Sequence, residues 1–460
     1  MKTCKLPRIL LAGTESGCGK TTLTCGILQA FLKRKIKPVA FKSGPDYIDP
    51  MFHSSVFGIT SRNLDSFMLN TRTLRYLLAK NGGKGQLAVL EGAMGYYDGV
   101  GVSTKASAYE LAVSTQTPVI LIINGKGSGI SLAAKIKGFK EFKANSNIVG
   151  VILNNVTTAT LKKYKTAIEQ ETGLKILGNL PVLPDCQLGS RHLGLITAEE
   201  VADLQQILAK LAAEVEANID LDALLAIAQS AAPLNYEDLS VKPLAKVKIA
   251  VARDKAFCFY YQDALDLLGE LGAELLPFSP LQTSELPSCD GLILGGGYPE
   301  LYAAELAANK TLKASLKAAL QKGLPCWAEC GGYMYLQETF QAEGRVYPWL
   351  GYLPGSCLMT EHLQHFGYVE LLAQQANVLM PKGTRCLGHE FHYSRSTVPG
   401  EALCLKKASG WQEWEAGFGG KNLLALYAHL HLWQNVELAR NFIKACTHYH
   451  CKVLGEAPLC

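Results

Sequence analysis

The sequence lacks the features that would assign it to the membrane, secreted or nucleic-acid-binding classes. Its longest apolar runs, such as residues 118–124 (PVILIIN), fall far short of the roughly 20 residues that a membrane-spanning helix needs. No block of lysine and arginine is long enough to line a nucleic-acid groove, and 45 basic against 40 acidic residues leave a net charge of only +5. The basic start runs into a glycine-rich loop without a small-residue cleavage site, so we expect no signal peptide. The sequence therefore predicts a cytoplasmic protein without a membrane or nucleic-acid partner.

The 14 cysteines lack the spacing of a zinc site or a disulfide framework. They are scattered and form no paired CxxC motifs, which is typical of a reduced cytosolic protein. One cluster near the end, Cys446, His448, His450 and Cys451, brings two thiols and two imidazoles within six residues. Metal binding and an ordinary C-terminal helix are the alternatives there. We favour the helix, because its periodicity would spread the four side chains around it.

The length and the pattern of apolar runs predict two α/β domains. A chain of 460 residues exceeds the size at which a single hydrophobic core keeps growing. In the first half, strand-sized apolar runs alternate with amphipathic helical segments, as in a doubly wound parallel sheet. A helical stretch over residues 198–230 gives way to a turn-rich segment, after which VKIAVARD (residues 247–254) starts a second α/β unit. We expect a first doubly wound domain over residues 1–232, a linker over 233–245 and a second over 246–460.

A phosphate-binding loop lies near the start of the chain, in AGTESGCGKTT (residues 12–22). It follows an apolar strand and opens a helix, as such a loop requires. Thr14 stands at the first glycine position of the usual pattern, and a glycine-rich turn without a ligand is the alternative interpretation. The loop glycines, the lysine and the two threonines are the candidates for binding ATP, and the Thr21 hydroxyl is also a candidate oxygen ligand of Mg²⁺. The candidates for binding ATP are Gly17, Gly19, Lys20, Thr21 and Thr22.

Carboxylates follow the ends of other strands in the first half. Mg²⁺ needs hard oxygen ligands, and we expect Asp46 and Glu91 to join Thr21 around it. Asp46 is also a candidate for binding the substrate or activating it, together with Tyr47, Asp49 and Asp98. A solvated, turn-rich loop is the alternative for residues 46–50. Asn154 ends another strand, where its amide could bind the purine of ATP or simply form a turn.

A candidate nucleophile lies in the second half, in PCWAECGGYMYL (residues 325–336). An apolar strand ends sharply at Cys330 before a helical segment, a turn that exposes a nucleophile to helix N–H groups. The amides of Gly331 and of Gly296 or Gly297 could stabilise an oxyanion. A buried structural cysteine is the alternative. Together, the phosphate loop and Cys330 predict an ATP-dependent enzyme that takes ammonia from glutamine to make an amide.

The chain resembles the cobyrinic acid a,c-diamide synthase family of the cobalamin pathway. The resemblance extends over nearly the whole length and several of its motifs are long. In chain order, they are AGTESGCGKTT, FKSGPDYIDPMFH, SRNLDSFML, EGAMGYYDG, RHLGL, ARDKAFCFYYQDAL, FSPL, GGGYPELYAAEL, AECGGYMYL and GHEFHYS. The first domain is similar to dethiobiotin synthetase and the second to class I glutamine amidotransferases.

This resemblance implies the reaction and its partners. Two peripheral carboxylates of cobyrinic acid would be amidated through acyl phosphates, with one ATP and one L-glutamine for each and Mg²⁺ as the metal. His429 matches the family's catalytic histidine, while His431 stands where many class I amidotransferases have a glutamate. A Cys-His dyad with an unidentified orienting group is therefore expected. His389 and His392 could shape the corrin site, an interface or only a hydrogen bond. The oligomeric state stays open, with a homodimer as one possibility.

Two other functions stay open at this point. The first is the same reaction on another tetrapyrrole, either hydrogenobyrinic acid or nickel sirohydrochlorin. The second is a nucleotide-dependent binding ATPase without amidation. Partition ATPases carry a second lysine in the phosphate loop, at the position of Glu15 here, and they have no need of Cys330.

Overall fold

The computed structural model describes residues 1–186 and 198–455. The chain divides into two compact units, Met1–Leu239 and Ser240–Cys460. The RHLGL motif (residues 191–195) lies outside the described residues. No helix within the described part of the chain is both long enough and apolar enough to cross a membrane.

The first unit alternates strands with helices over most of its length. Its described strands are β1 Lys2–Cys4, β2 Arg8–Gly13, β3 Pro38–Ser43, β4 Ser61–Leu64, β5 Leu87–Gly95, β6 Val119–Asn124, β7 Ile148–Asn154, β8 Lys175–Leu180 and β9 Leu234–Tyr236. Its described helices are α1 Lys20–Lys33, α2 Ile48–Phe57, α3 Thr71–Gly82, α4 Ala108–Thr115, α5 Ser131–Glu141, α6 Thr158–Thr172, α7 Ala198–Asn218 and α8 Leu221–Gln229.

Seven of these strands form one parallel sheet in the order β4-β3-β5-β2-β6-β7-β8. Strand β2 lies between β5 and β6, where the strand order reverses direction along the chain. Its six residues are all buried, as expected for a central strand covered on both faces. In such a sheet, ligands bind at the carboxyl ends of the strands beside this reversal. The predicted doubly wound parallel sheet is confirmed here.

The end of the first unit differs from the sequence-based description in two ways. The helical stretch over residues 198–230 is two helices, because Asp220 accepts a hydrogen bond from the amide of Ala223 and begins α8 as its N-cap. Part of the segment expected to be a linker, Leu234–Tyr236, is a strand that pairs with β1. The backbone of these three residues therefore belongs to the first unit.

The second unit contains more strands than the sequence predicts. Its described strands are β10 Val247–Ala252, β11 Ala273–Phe278, β12 Gly291–Leu294, β13 Cys326–Glu329, β14 Thr339–Ala342, β15 Arg345–Pro348, β16 Ser356–Met359, β17 His365–Ala373, β18 Arg385–His392, β19 Ser394–Ser396, β20 Leu403–Lys407, β21 Glu413–Ala416, β22 Phe418–Gly420, β23 Leu423–Leu426 and β24 His429–Leu430. Its described helices are α9 Gln262–Glu270, α10 Ala303–Ala308, α11 Lys310–Gln321, α12 Gly331–Leu336 and α13 Val436–Leu454.

The core of the second unit is a six-stranded sheet in the order β11-β10-β12-β13-β23-β22, parallel except at β22. The α/β class predicted for this half is therefore confirmed. Two further sheets, β15-β14-β16-β19 and β21-β20-β17-β18-β24, are mostly antiparallel and were not anticipated. The helix that follows Cys330 ends at Leu336, because Gln337 is extended and residues 339–342 pair with β15 through a turn at Glu343 and Gly344.

The cysteine–histidine cluster near the end of the chain lies on α13. Cys446 is fully buried, whereas the ring of His450 contacts the Asp290 carboxylate, with 2.7 Å between Nδ1 and Oδ1. The described residues include no group of three or more histidine, cysteine or acidic side chains able to hold a metal ion. The segment is a C-terminal helix with its polar groups on different sides.

Candidate active site

The phosphate loop connects β2 to α1 and depends on two glycines. Gly17 and Gly19 have φ angles of 76° and 97°, which side chains with a Cβ rarely adopt. Lys20 is the first residue of α1, and its ammonium folds back over the loop to donate to the Glu15 carbonyl at 2.9 Å. Thr21 and Thr22 follow in the first turn. The backbone N–H groups of this turn have no intrahelical acceptor, so they can bind an anion.

Asn154 holds the phosphate loop against the end of β7. Its amide nitrogen donates to the Cys18 carbonyl at 2.9 Å. A Cβ on Gly19 would lie 2.0 Å from that nitrogen, so only glycine fits. This contact gives Asn154 a structural task that the sequence did not indicate. Its binding of the purine stays a prediction.

A buried lysine, which sequence reasoning missed, lies among the predicted carboxylates. Lys42 is the penultimate residue of β3, and its ammonium donates to Asp49 at 2.5 Å and to Glu91 at 2.8 Å. The Asp46 carboxylate lies 3.7 Å away. Thr21 donates its hydroxyl to the same Glu91 oxygen at 2.8 Å, which joins this cluster to the phosphate loop. A lone lysine in the apolar run VAFKS was the signal that could have identified it.

Burial and mutual attraction set the charges of this cluster. Burial by itself would lower the pKa of Lys42, but Glu91, Asp49 and Asp46 raise it above its ordinary value, so the lysine is charged. Burial also opposes ionisation of Asp49, yet the nearby ammonium holds the pKa of that carboxyl below its usual range. For Glu91 burial dominates and raises the pKa. A positive ion beside Glu91 would therefore favour its ionised form.

The remaining predicted residues border the same strand ends. Asp46 accepts hydrogen bonds from the amides of Ile48 and Asp49, at 2.9 and 3.2 Å, and so fixes the turn that begins α2. Tyr47, between them, is 8% exposed. Asp98 accepts from the Gly95 amide at 2.9 Å, after β5. The carboxyl ends of β2, β3 and β5 thus bring the predicted residues of the first unit together.

The residues around Glu91 fit a hard divalent cation. Glu91 is 1% exposed, and no N–H or O–H group within the described residues donates to its second oxygen, Oε2. The Thr21 hydroxyl, which lies beside the other oxygen, adds a further oxygen atom. An unpartnered buried carboxylate oxygen next to a phosphate loop is a suitable ligand for Mg²⁺.

In the second unit, Cys330 occupies a sharp turn between β13 and α12. Its φ and ψ angles are 45° and −106°, a strained conformation for a residue with a side chain. The turn is tight because a Cβ on Gly332 would lie 2.1 Å from the Leu294 carbonyl oxygen. Cys330 is 7% exposed, and burial raises the pKa of its thiol. The thiol therefore needs a base to become a nucleophile.

His429 is placed to be that base, and Glu329 is the orienting group that the sequence left unidentified. A Cβ on Gly296 would lie 3.2 Å from His429 Nε2 and 3.4 Å from Cys330 Cβ, so both side chains border the same point. The other imidazole nitrogen, Nδ1, lies 3.3 Å from Glu329 Oε2. Because a carboxylate accepts hydrogen bonds, Nδ1 carries the proton and Nε2 can accept one from the thiol.

The predicted oxyanion glycines lie beside the nucleophile. The Gly331 amide donates toward the Cys330 thiol, an interaction that opposes the rise of its pKa. A Cβ on Gly331 would lie 3.3 Å from the amide nitrogen of Gly297, so these two backbone segments are close. Gly297 has a φ of 154°, and a Cβ there would lie 2.2 Å from the Ala256 carbonyl oxygen. The crowding excludes side chains from the place where an oxyanion would form.

The other histidines have separate surroundings. His431 is fully buried, stacks on Tyr261 with 4.7 Å between ring centroids, and accepts from the Trp433 amide at 3.3 Å. Burial lowers its pKa to about 3, so the ring is neutral. His389 pairs across strands with His429, and His392 stacks on Tyr427 at 3.8 Å.

Comparison with known proteins assigns a family domain to each unit. Residues 9–195 match a CobQ/CobB/MinD/ParA nucleotide binding domain, and residues 248–436 match a CobB/CobQ-like glutamine amidotransferase domain. The cobyrinate a,c-diamide synthase of Listeria monocytogenes serotype 4b (strain F2365) is 41% identical over 93% of this chain and 97% of its own length. The chain belongs to the cobyrinate a,c-diamide synthase family. The family's protein from Salmonella typhimurium (strain LT2) is 42% identical over 95% of this chain and 97% of its own.

Proposed function

We propose that this protein converts the a and c side-chain carboxylates of cobyrinic acid to amides, using ATP and L-glutamine. The observation that carries the proposal is the pairing of a phosphate loop with a Cys330–His429–Glu329 arrangement in one chain of this family. A binding ATPase without amidation would have no need of an amidotransferase unit, so we do not favour that alternative. A carboxylate resists attack by ammonia, which is why a phosphorylating site and an ammonia source belong together.

The first unit activates the carboxylate. Its phosphate loop binds ATP, and the substrate carboxylate attacks the γ-phosphorus, so that ADP leaves and an acyl phosphate forms. Phosphoryl transfer depends on positioning and on neutralising charge, which Lys20 supplies from the phosphate loop and Lys42 from its contact with Glu91. Asp46 and Asp49 keep the Lys42 ammonium in place. Ammonia then attacks the acyl carbon, and phosphate leaves as the amide forms.

Thr21, Glu91 and Asp46 are the proposed ligands of Mg²⁺. The unpartnered Glu91 oxygen and the adjacent hydroxyl support this assignment. When bound, the ion would neutralise phosphate charge and hold the nucleotide in register. The chain itself supplies oxygen atoms from the ends of its strands. Lys42 bonds only Oε1 of Glu91, which leaves Oε2 available to the ion.

The second unit releases the ammonia. The Cys330 thiol passes its proton to His429 Nε2 as the sulfur attacks the glutamine carboxamide, and amides near Gly297 and Gly331 stabilise the oxyanion. Collapse expels ammonia, which takes the proton from His429, and leaves a thioester. Water then releases glutamate and restores the thiol. Glu329 keeps the imidazole oriented through both steps.

Incubation of the purified protein with ATP, Mg²⁺, glutamine and cobyrinic acid, followed by mass spectrometry of the corrin, tests the overall reaction. Parallel reactions with hydrogenobyrinic acid and nickel sirohydrochlorin identify the tetrapyrrole. We expect the diamide of cobyrinic acid, and absence of this product together with product from another tetrapyrrole would reassign the substrate. A cytoplasmic location and a homodimer are further proposals, which cell fractionation and light scattering test.

The variant Cys330→Ser separates the two half-reactions. We expect it to lose glutamine-dependent amidation and to keep amidation driven by a high ammonium concentration, because only the ammonia supply is lost. Cys326→Ser is the matched control, since Cys326 is buried at the start of β13, the strand that leads to Cys330, four residues earlier. Failure of ammonium to restore turnover in Cys330→Ser would contradict the assigned role.

A further inference from the structure

Three carboxylates surround the nucleophile of the second unit. Burial is the main cause that raises the pKa of the Cys330 thiol. The negative charges of Glu300, Glu390 and Glu329 raise this pKa further, and Glu300 has the largest effect of the three. Glu329 is engaged with His429, as described above. Glu390 has a side chain only 2% exposed, and it lies 3.8 Å from the buried ring of His392. Glu300 is the remaining carboxylate, and the proposed mechanism does not use it.

The chain position of Glu300 brings it to the rim of the glutaminase site. It lies in the short 3-10 helix Pro299–Tyr302, which begins two residues after Gly297. The ring of Pro299 packs against the nucleophile turn, because a Cβ on Gly331 would lie 2.8 Å from Pro299 Cδ. The amide nitrogen of Gly297 is 3.3 Å from the same point. These contacts fix the Glu300 backbone relative to Cys330.

The carboxylate of Glu300 has no charge partner in the described part of the chain. Among the described residues, no neighbouring charge shifts the pKa of Glu300, and a hydrogen bond from its own backbone N–H is the one interaction that lowers it. The residue is half-buried, so a ligand can reach it. Burial raises its pKa to about 7. A half-buried carboxylate without a partner is poorly stabilised alone and is well suited to binding a cationic group.

We propose that Glu300 binds the α-ammonium group of glutamine and determines the specificity of the glutaminase site. This inference rests on the proposed function of that site. In glutamine two methylene groups separate the Cα from the carboxamide, so the ammonium must lie within a few bond lengths of the reacting carbon. Glu300 directly follows Pro299, which packs on the nucleophile turn, so it is the carboxylate that we assign to this position, whereas Glu329 and Glu390 are enclosed with histidines.

The variant Glu300→Gln tests the inference through substrate choice. Its hydrolysis of glutamine is compared with that of glutaramate, which is glutamine without the α-amino group. We expect the ratio of kcat/KM values, glutamine over glutaramate, to fall at least about tenfold in Glu300→Gln, since a hydrogen bond to a charged group is lost only with glutamine. Amidation driven by ammonium should not change. Glu305→Gln is the control, because Glu305 is an exposed carboxylate five residues away.

Two results would overturn the inference. If Glu300→Gln slows both substrates by the same factor, the carboxylate acts on the thiol and not on the ammonium. If the substrate ratio equals that of the unmodified protein, Glu300 does not contact the ligand. Failure of the unmodified protein to hydrolyse glutamine at all is a separate outcome that removes the proposed function itself, and the inference with it.

Discussion

The variant Glu329→Gln is the most direct test of the geometry around His429. Three N–H groups converge on the Glu329 carboxylate. Oε1 accepts from the Leu430 amide at 2.8 Å and from the Trp327 indole at 3.1 Å, while Oε2 lies 3.3 Å from His429 Nδ1. A glutamine side chain would keep one acceptor oxygen, but its NH₂ group would face a donor in either orientation. The substitution therefore breaks the alignment of the imidazole without changing the size of the side chain.

The magnitude follows from the kind of bond that is lost. The imidazole becomes positively charged when it takes the thiol proton, and at that moment its bond to Glu329 joins two charged groups. Such a bond contributes about 1.5–3 kcal/mol. That range corresponds to a loss of roughly 10- to 150-fold in rate. We expect this loss in kcat/KM for glutamine hydrolysis.

The assay measures glutamate release and, separately, amidation driven by ammonium. Glu329→Gln should keep the ammonium-driven reaction, because no residue of the first unit is altered. Glu343→Gln is the control, since Glu343 is exposed in the turn after β14. A glutaminase rate within threefold of the unmodified protein would refute the reasoning, and it would return the site to a Cys-His dyad without an orienting carboxylate.

Two further predictions concern buried ionisable groups. Lys42→Met leaves Asp49 and Glu91 without their ammonium partner, so we expect the free energy of unfolding to fall by about 3–5 kcal/mol in urea titrations with EDTA. Lys37→Met, at an exposed position, is the control and should have little effect on this free energy. An equally small change in Lys42→Met would contradict the prediction. Because burial raises the pKa of the Cys330 thiol, its alkylation by iodoacetamide, followed by peptide mass mapping, should accelerate with pH through pH 9, since the protonated thiol predominates below its pKa; a plateau near pH 7 would be inconsistent with it.

The phosphate loop could be predicted because its signal is local. Strand, glycines, lysine and helix are contiguous in sequence, and the structure keeps that order in β2, the loop and α1. The carboxylates could be predicted for a similar reason, since they follow strands whose carboxyl ends meet at one edge. The depth of Lys42 could not be predicted. The sequence does not say whether a lysine near the end of a strand points to solvent or, as here, to carboxylates 7 and 49 residues further along the chain.

In the second unit, the nucleophile could be predicted and its supporting residues could not. Cys330 lies in a strand-to-helix turn, and the two glycines that follow it in the sequence indicate this turn. Glu329 is adjacent to Cys330 in sequence, yet its function depends on His429, 100 residues away. The antiparallel sheets were missed because their strands are short, and the pairing of β18 with β24, which positions His429, joins distant segments. Such nonlocal pairing leaves no periodic signal in one sequence.

The two sites differ in how their buried carboxylates are balanced, and this difference determines whether a site needs a cation or a base. In the first unit Lys42 offsets three carboxylates, and the excess negative charge suits a divalent cation. In the second unit Glu300, Glu329 and Glu390 all oppose formation of the Cys330 thiolate. A negative pocket would favour the ammonium end of glutamine at the expense of nucleophile reactivity. The thiol would then react only when His429 accepts its proton.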